Sequence, residues 1–147
     1  MIPDVNVLVA AFRADHLHHA CARDWLAATR SACADGTATL VLLLVVVAGF
    51  LRVTTNARVF VSPDSIEDAV AFVDVLLESA GVELQPGMAE WPLLRDKLLL
   101  LGLPGNLVTD AWIAAATQAL SEHLVTFDRD FIRLLPAPDV TLLSASL

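Results

Sequence analysis

The chain is expected to fold as one α/β domain, a parallel sheet covered by helices on both faces. Short apolar runs alternate with stretches of helical periodicity from end to end, the pattern of repeated strand–helix–strand units. Its 147 residues suit one domain, long enough to bury most of the surface an unfolded chain exposes. Residues 105–131, GNLVTDAWIAAATQALSEHLVTFDRDF, read as a helix, a tight connection, a short strand and an acidic turn. That order puts carboxylates at a strand's C-terminal end, the edge where open α/β sheets bind ligands.

Taken in order, residues 1–4 make a short first strand ending at Asp4, and VNVLVAAF continues as a helix. Asp15 is a candidate N-cap for the next helix, which runs through Trp25 and Leu26. The segment Ser31 to Thr39 reads as a loop marked by Asp35 and Gly36. Leu40 to Val53 carries strand-favouring valines but exceeds a strand's usual length. A buried strand running into a helix that contains Gly49 and Phe50 reconciles the two signals. In VSPDSIEDAVAFVDVLLESAG, Ser62 can cap with Pro63 at the first helical position, and Ser65 with Asp68 resembles a capping box. Val70, Val73, Leu76 and Leu77 form one apolar face, and Gly81 stops the helix. Val82 to Leu84 is a short strand. Met88 to Leu101 is a helix in which Pro92 must fall within the first turn, and Gly102, Pro104 and Gly105 end it. Asp139 to Leu143 supplies the last strand.

Composition narrows the function. The apolar fraction is 56 % and the mean hydropathy +0.66, so part of the surface is expected to lie in an interface, with a second copy or a bound partner. The longest apolar run, Leu40 to Leu51, has about a dozen residues against the ~20 needed to span a bilayer, and Arg52 closes it. No basic segment precedes the first apolar residues, so a secretory signal is not expected and a cytoplasmic location is. Cys21 and Cys33 fall in one helical stretch, too far apart to bridge, and read as reduced thiols. The net charge of −8, with Lys97 the one lysine beside eight arginines, excludes a general polyanion-binding surface. Any nucleic-acid contact must be local, made by a few arginines and metal ions. An acidic body also suits a basic protein partner.

Three carboxylates stand out. Asp4 interrupts an apolar strand, where a charge is costly to bury. Asp110 opens a helix and Asp128 follows a strand; a first-turn aspartate is favoured by the helix dipole regardless of function, and Asp128 with Asp130 also suits a plain polar turn. If the three converge, repulsion of about 4 kcal/mol per pair at ~4 Å and an effective dielectric of 20 calls for a counter-charge or a shared proton. Hard oxygen donors with no histidine or thiolate expected nearby select Mg²⁺ or Mn²⁺, and such a site suits phosphodiester hydrolysis. His16, His18 and His19 invite a metal reading through shared helix faces, but nothing completes a zinc spacing, so structural or solvent-facing roles are expected. Trp25, Trp91 and Trp112 read equally as core or as interface anchors.

PDVNVLVAAF at 3–12, AGFLRVTTNARVF at 48–60, TDAWIAA at 109–115 and TFDRDF at 126–131 resemble, in matching order, the PIN domain. More narrowly they resemble the VapC ribonuclease toxins of bacterial toxin–antitoxin pairs. The resemblance extends to about Leu135. It implies a three-layer α/β/α domain over residues 1–147 around a parallel sheet of four to five short strands. It further implies an acidic Mg²⁺- or Mn²⁺-dependent site that cleaves RNA, and a cognate VapB-like antitoxin, with a homodimer expected. By position, Asp4 matches the family's first acid, with Asn6 in its Asp-x-Asn context. Asp110 matches the aspartate before the IAA helix, and Asp128 that of the Thr-x-Asp motif with Thr126. Asp130 is a less regular acidic position. Many PIN domains carry a glutamate where this chain has Ala48 and Gly49, which leaves three acids and an open choice between one metal and two. Arg52 either faces the cleft to meet a phosphate or faces solvent. A haloacid-dehalogenase phosphatase would need a second acid at Asn6, and a receiver domain an aspartate near Gly49 and Phe50. The rival reading is a PIN-like domain that has lost catalysis and binds a partner or RNA.

Overall fold

The computed structural model describes residues 1–87, 90–102 and 105–144. Five short strands and six α-helices alternate: β1 Ile2–Pro3, α1 Val5–Phe12, α2 His19–Ala34, β2 Leu40–Leu43, α3 Leu44–Thr54, α4 Ile66–Leu77, β3 Val82–Gln85, α5 Trp91–Leu101, α6 Val108–Ala119, β4 Leu124–Thr126 and β5 Val140–Leu142. Short 3₁₀ turns cover Gly105–Leu107, Arg129–Arg133 and Ala137–Asp139.

All strand pairs run parallel, as the alternation requires. β1 pairs with β4, which pairs with β5, and β2 pairs with β3. The single expected sheet is therefore two ladders, three-stranded and two-stranded. The reason is the brevity of β1. Its junction with β2 consists of the Met1 amino group donating to the Thr39 carbonyl at 2.7 Å and the Val41 N–H donating to the Met1 carbonyl at 2.9 Å. These two bonds flank Leu40 as parallel-ladder bonds do, giving the spatial order β3-β2-β1-β4-β5. Leu40 to Leu43 are all buried. Successive strand side chains point to opposite faces, so both faces of the sheet's centre are covered, the three-layer arrangement expected.

Local chemistry sets the helix ends. Ser65 caps α4, accepting the Asp68 N–H at 3.0 Å and donating to Asp68 Oδ2 at 2.7 Å, so this capping box prevails over a start at Ser62 and Pro63. Val73 and Leu76 are buried on the expected face, while Val70 stays exposed. Pro92 falls in the first turn of α5, and Gly102 ends that helix in the left-handed region at φ 58°, where glycine has no Cβ penalty. The expected helix start at Met88, and Pro104, lie outside the described residues. β2 runs into α3 without a loop, as the valine-rich run indicated. Two expectations fail. Asp15 does not cap α2, whose cap is His18 without a side-chain bond; the carboxylate is taken by Arg13 instead. The loop before β2 begins at Asp35 rather than Ser31, because Cys33 packs into the core and extends the helix. Cys21 and Cys33 are free thiols. Trp25 packs against the core, whereas Trp91 is 62 % exposed. Among the described residues no helix is long and apolar enough to cross a membrane.

Arg13, just past α1, is a buried cation that the sequence did not advertise. It donates to Asp15 at 3.0 and 2.8 Å, to the Ser62 carbonyl at 3.2 Å and to Asp64, and its guanidinium lies 3.9 Å from the Phe60 ring centre. The segment after α3 is thereby tied to the end of α1. Arg13→Met should lower Tm by roughly 5 °C or more in a domain of this size, and Arg13→Lys should recover only part, because an ammonium cannot make the forked contacts. A thermal melt showing no change in Arg13→Met would contradict this anchoring role.

Candidate active site

β1 and β4 lie side by side and parallel, with Pro3 opposite Val125, so the residues that follow both strands emerge at one sheet edge. Asp4 caps α1 there, and Asp128 caps the 3₁₀ turn that follows β4. Asp110 arrives in the first turn of α6. The three carboxylates line one open cleft of about 510 Å³ with Asn6, His16, Arg52, Phe60 and Thr109.

Asp4 is 4 % exposed and tightly held. Its Oδ1 accepts the Val5 N–H at 2.6 Å, and its Oδ2 accepts Asn6 Nδ2 at 2.6 Å and the Thr126 hydroxyl at 2.7 Å. The Thr126 oxygen accepts in turn from Asn6 Nδ2 at 3.1 Å and from the Asp128 N–H at 2.9 Å. Asn6 Oδ1 accepts the Phe127 N–H at 3.2 Å. Asn6 and Thr126 thus lock Asp4 to the segment carrying Asp128. The DVN and TFD motifs act as one hydrogen-bonded unit.

Burial pushes the Asp4 carboxyl up to about 6. The bonds from Thr126 and Val5 restrain the rise, and the charges of Asp110 and Asp128 add to it. Burial raises Asp110 as well, helped by Asp128 and Asp130. No described cation forms an ion pair with any of the three. The cleft is therefore short of positive charge, and a hard divalent ion fits its donor chemistry. Among the described residues, no three acidic, imidazole or thiol groups stand close enough to cage an ion between them. Magnesium suits such a rim, since it keeps several waters and takes one or two carboxylates.

Asp130 is exposed and does not line the cleft; its N–H donates to Asp128 Oδ1 at 2.8 Å. Its part is to fix Asp128 and add charge near Asp110. Arg52 is exposed and lines the cleft. At Gly49, an added Cβ would lie 2.7 Å from Val5 Cγ2. α3 approaches α1 so closely there that a side chain at position 49 would have to displace that of Val5. His16, Thr109, Val59 and Phe60 also line the cleft. His16 corrects the expectation of a site with no histidine nearby, because the loop before α2 brings that ring to the cleft. Thr109, Val59 and Phe60 fall inside the motifs TDAWIAA and AGFLRVTTNARVF, but nothing in their own chemistry singled them out.

The PIN domain family profile matches residues 1–134. The chain is similar to ribonuclease VapC43 of Mycobacterium tuberculosis, 40 % identical over 131 residues, covering 88 % of this chain and 86 % of the relative. In fold it resembles the VapBC2 crystal structure from Rickettsia felis, bound to a promoter DNA fragment, with a TM-score of 0.66 at 21 % identity, covering 97 % of this chain and 98 % of that one. It is likewise similar to VapC20 of Mycobacterium tuberculosis, described as a sarcin–ricin loop cleaving toxin, with a TM-score of 0.67 at 16 % identity and the same coverage.

Two outcomes follow from this geometry. Gly49→Ala should cost about 1–3 kcal/mol through overpacking against Val5 and should disturb Asp4, which that residue's N–H holds; denaturant titration measures the first, and an unchanged midpoint would contradict the close approach. A raised Asp4 pKa means that the folded state holds a proton the unfolded chain has lost between about pH 4 and about pH 6. In metal-free buffer this group adds stability that is full below about pH 4 and lost as pH rises through about 6, worth at most about 3 kcal/mol. The stability difference between the wild type and Asp4→Asn should follow that course, and a difference flat in pH would show that Asp4 titrates normally.

Proposed function

This chain belongs to the PIN-domain family and, within it, to the VapC ribonucleases, and on that premise we propose that it is the toxin of a toxin–antitoxin pair, a Mg²⁺- or Mn²⁺-dependent endoribonuclease acting at the Asp4, Asp110 and Asp128 cleft. The observation that carries this reading is the meeting of three carboxylates, from the two ends of the chain, in one cleft where no described cation is ion-paired to them.

Asp4, Asp110 and Asp128 line the site, where one or two of them would hold the ion directly and the rest through its waters; when bound, the ion supplies an activated water, a polarised phosphoryl group and a stabilised leaving oxygen. The chain's own residues do the positioning. Asn6 and Thr126 occupy Asp4 Oδ2 and the Val5 N–H engages Oδ1, so the carboxylate is held in one orientation. The Asp128 N–H bond to Thr126 fixes the third acid against the first. Arg52, exposed on the cleft wall and in no ion pair among the described residues, is suited to a substrate phosphate. With no carboxylate at Ala48 or Gly49, a single ion is favoured over two.

The partner is a VapB-like antitoxin, in keeping with the VapBC2 assembly that the fold resembles. An apolar helix laid into a groove and an arginine reaching the acidic cleft would both bind and block it. Trp91, Leu99 and Leu100, exposed along α5, belong to the apolar surface that a second copy of the chain would cover. A domain that has lost catalysis and works by binding is the alternative, favoured by Gly49 in place of the glutamate.

Asp4→Ala and Asp128→Ala should each reduce Mg²⁺- or Mn²⁺-dependent cleavage of structured RNA by more than about 100-fold, and EDTA should abolish it. Thr126→Val should lose about 10- to 100-fold, the range for a residue that orients a metal ligand. Cleavage surviving both alanine substitutions would end the assignment of this site.

A further inference from the structure

The three histidines before and within α2 have separate duties. His19 Nδ1 bonds the Ala10 carbonyl at 2.9 Å, and the His18 ring stacks on Phe127 at 4.5 Å between centres and 14° between planes. His16 alone lines the acidic cleft. Its Nδ1 accepts the His18 N–H at 3.1 Å, so in the neutral ring the proton sits on Nε2. That atom has no partner among the described residues, and it is not among their buried unbonded polar atoms. Burial first, then the neighbouring His18, pushes the His16 pKa below its ordinary value, which keeps the ring neutral at neutral pH.

Neutrality matters beside three carboxylates. A lysine, or an imidazolium, in this position would be drawn onto the aspartates. A neutral N–H whose other nitrogen is already engaged stays available for an incoming oxygen. Resting on the ribonuclease reading, we propose that His16 is a substrate-binding residue whose Nε2–H donates a hydrogen bond to a phosphate oxygen of the RNA seated in the cleft. His18, stacked on Phe127, carries the backbone N–H that orients the ring and ties its loop to the Asp128 segment, so donor and acidic centre keep a fixed spacing. Arg52 supplies charge at the same cleft and His16 supplies direction.

The test compares His16→Ala, His16→Gln and Arg52→Ala on a fluorescein-labelled RNA spanning a site mapped in total bacterial RNA. Steady-state cleavage is measured, and binding by anisotropy in an Asp128→Asn background over a salt series. His16→Ala should raise KM and Kd roughly 10- to 100-fold, the range for one hydrogen bond to a charged acceptor, with a smaller change in kcat and an unaltered Tm. His16→Gln, which keeps an N–H donor, should recover most of the loss. Because the donor is neutral, the dependence of log Kd on log salt should stay as in the wild type, whereas Arg52→Ala should flatten it by about 0.7 for a single strand. Cleavage and binding by His16→Ala within about twofold of the wild type would overturn the proposal and leave the ribonuclease reading standing. So would a loss matched by a fall in Tm and not recovered by glutamine, which marks a structural role. A wild-type protein that binds the RNA with His16 dependence yet cannot cut it overturns the nuclease and keeps the contact, and one that neither binds nor cuts overturns both.

Discussion

A buried carboxylate bonded to a hydroxyl from the other end of the chain is the constraint on which this structure turns. Asp4 and Thr126 are 122 positions apart and meet at 2.7 Å. Burying an aspartate costs several kcal/mol unless hydrogen bonds replace the lost water. Here three donors do so, and all three are tied to backbone position: the first N–H of α1, the side-chain amide of Asn6 at the second residue of α1, and the hydroxyl of Thr126, the last residue of β4. Each donor serves a second purpose. The Val5 N–H is one of the unpaired groups at a helix start, Asn6 also bonds Phe127, and Thr126 also receives the Asp128 N–H. Removing the acid would thus unmake a helix cap and a strand-to-helix tie together.

That coupling explains why a strand of two residues suffices. β1 is too short to hold its place by ladder bonds alone, and the seam to β2 has only two. The Asp4 cluster continues the β1–β4 register past the end of the ladder by side-chain bonds. The parallel pairing puts both chain segments at the same edge, and the cluster converts that adjacency into a fixed carboxylate geometry. Burial, and after it the repulsion among the carboxylates, raises the pKa of Asp4 and Asp110, an electrostatic imbalance that a bound cation would relieve.

The sequence disclosed what depends on pattern and hid what depends on packing. Asp4, Asn6, Thr126 and Asp128 were legible because their motifs sit at strand ends, where side-chain chemistry is fixed by local backbone. The β2–α3 run was legible because valine and length pulled in opposite directions and only a strand joined to a helix satisfies both. Arg13 was not, since a lone arginine gives no sign that two aspartates and a phenylalanine ring will enclose it. Asp15 misled for the same reason: in sequence it looks like a helix cap, but its carboxylate does more beside a buried guanidinium. Gly49 was read as a missing acid, and its contact with Val5 adds a crossing of two helices so close that any side chain there must displace Val5. Pairwise distances of this kind have no one-dimensional signature.

How an acidic body meets RNA is resolved by which cations remain unpaired. Arg13, Arg23 and Arg95 are neutralised by aspartates, while Arg52 lines the cleft, Arg58 adjoins its wall at Val59 and Arg129 directly follows Asp128. None of these last three is ion-paired among the described residues. Of the five arginines that form no ion pair among the described residues, these three lie in or next to the acidic centre, while Arg30 on α2 and Arg133 are exposed away from the cleft lining, so attraction at the cleft is local, as a net charge of −8 demands. The centre itself still repels phosphate as long as its carboxylates are ionised and uncompensated. Under the proposed reading, ion and RNA therefore favour one another's binding, and by linkage each must strengthen the other by the same factor. The same logic applies to an antitoxin arginine. A guanidinium placed among Asp4, Asp110 and Asp128 would satisfy the carboxylates that otherwise call for a divalent ion, and so would exclude the ion and the substrate in one contact.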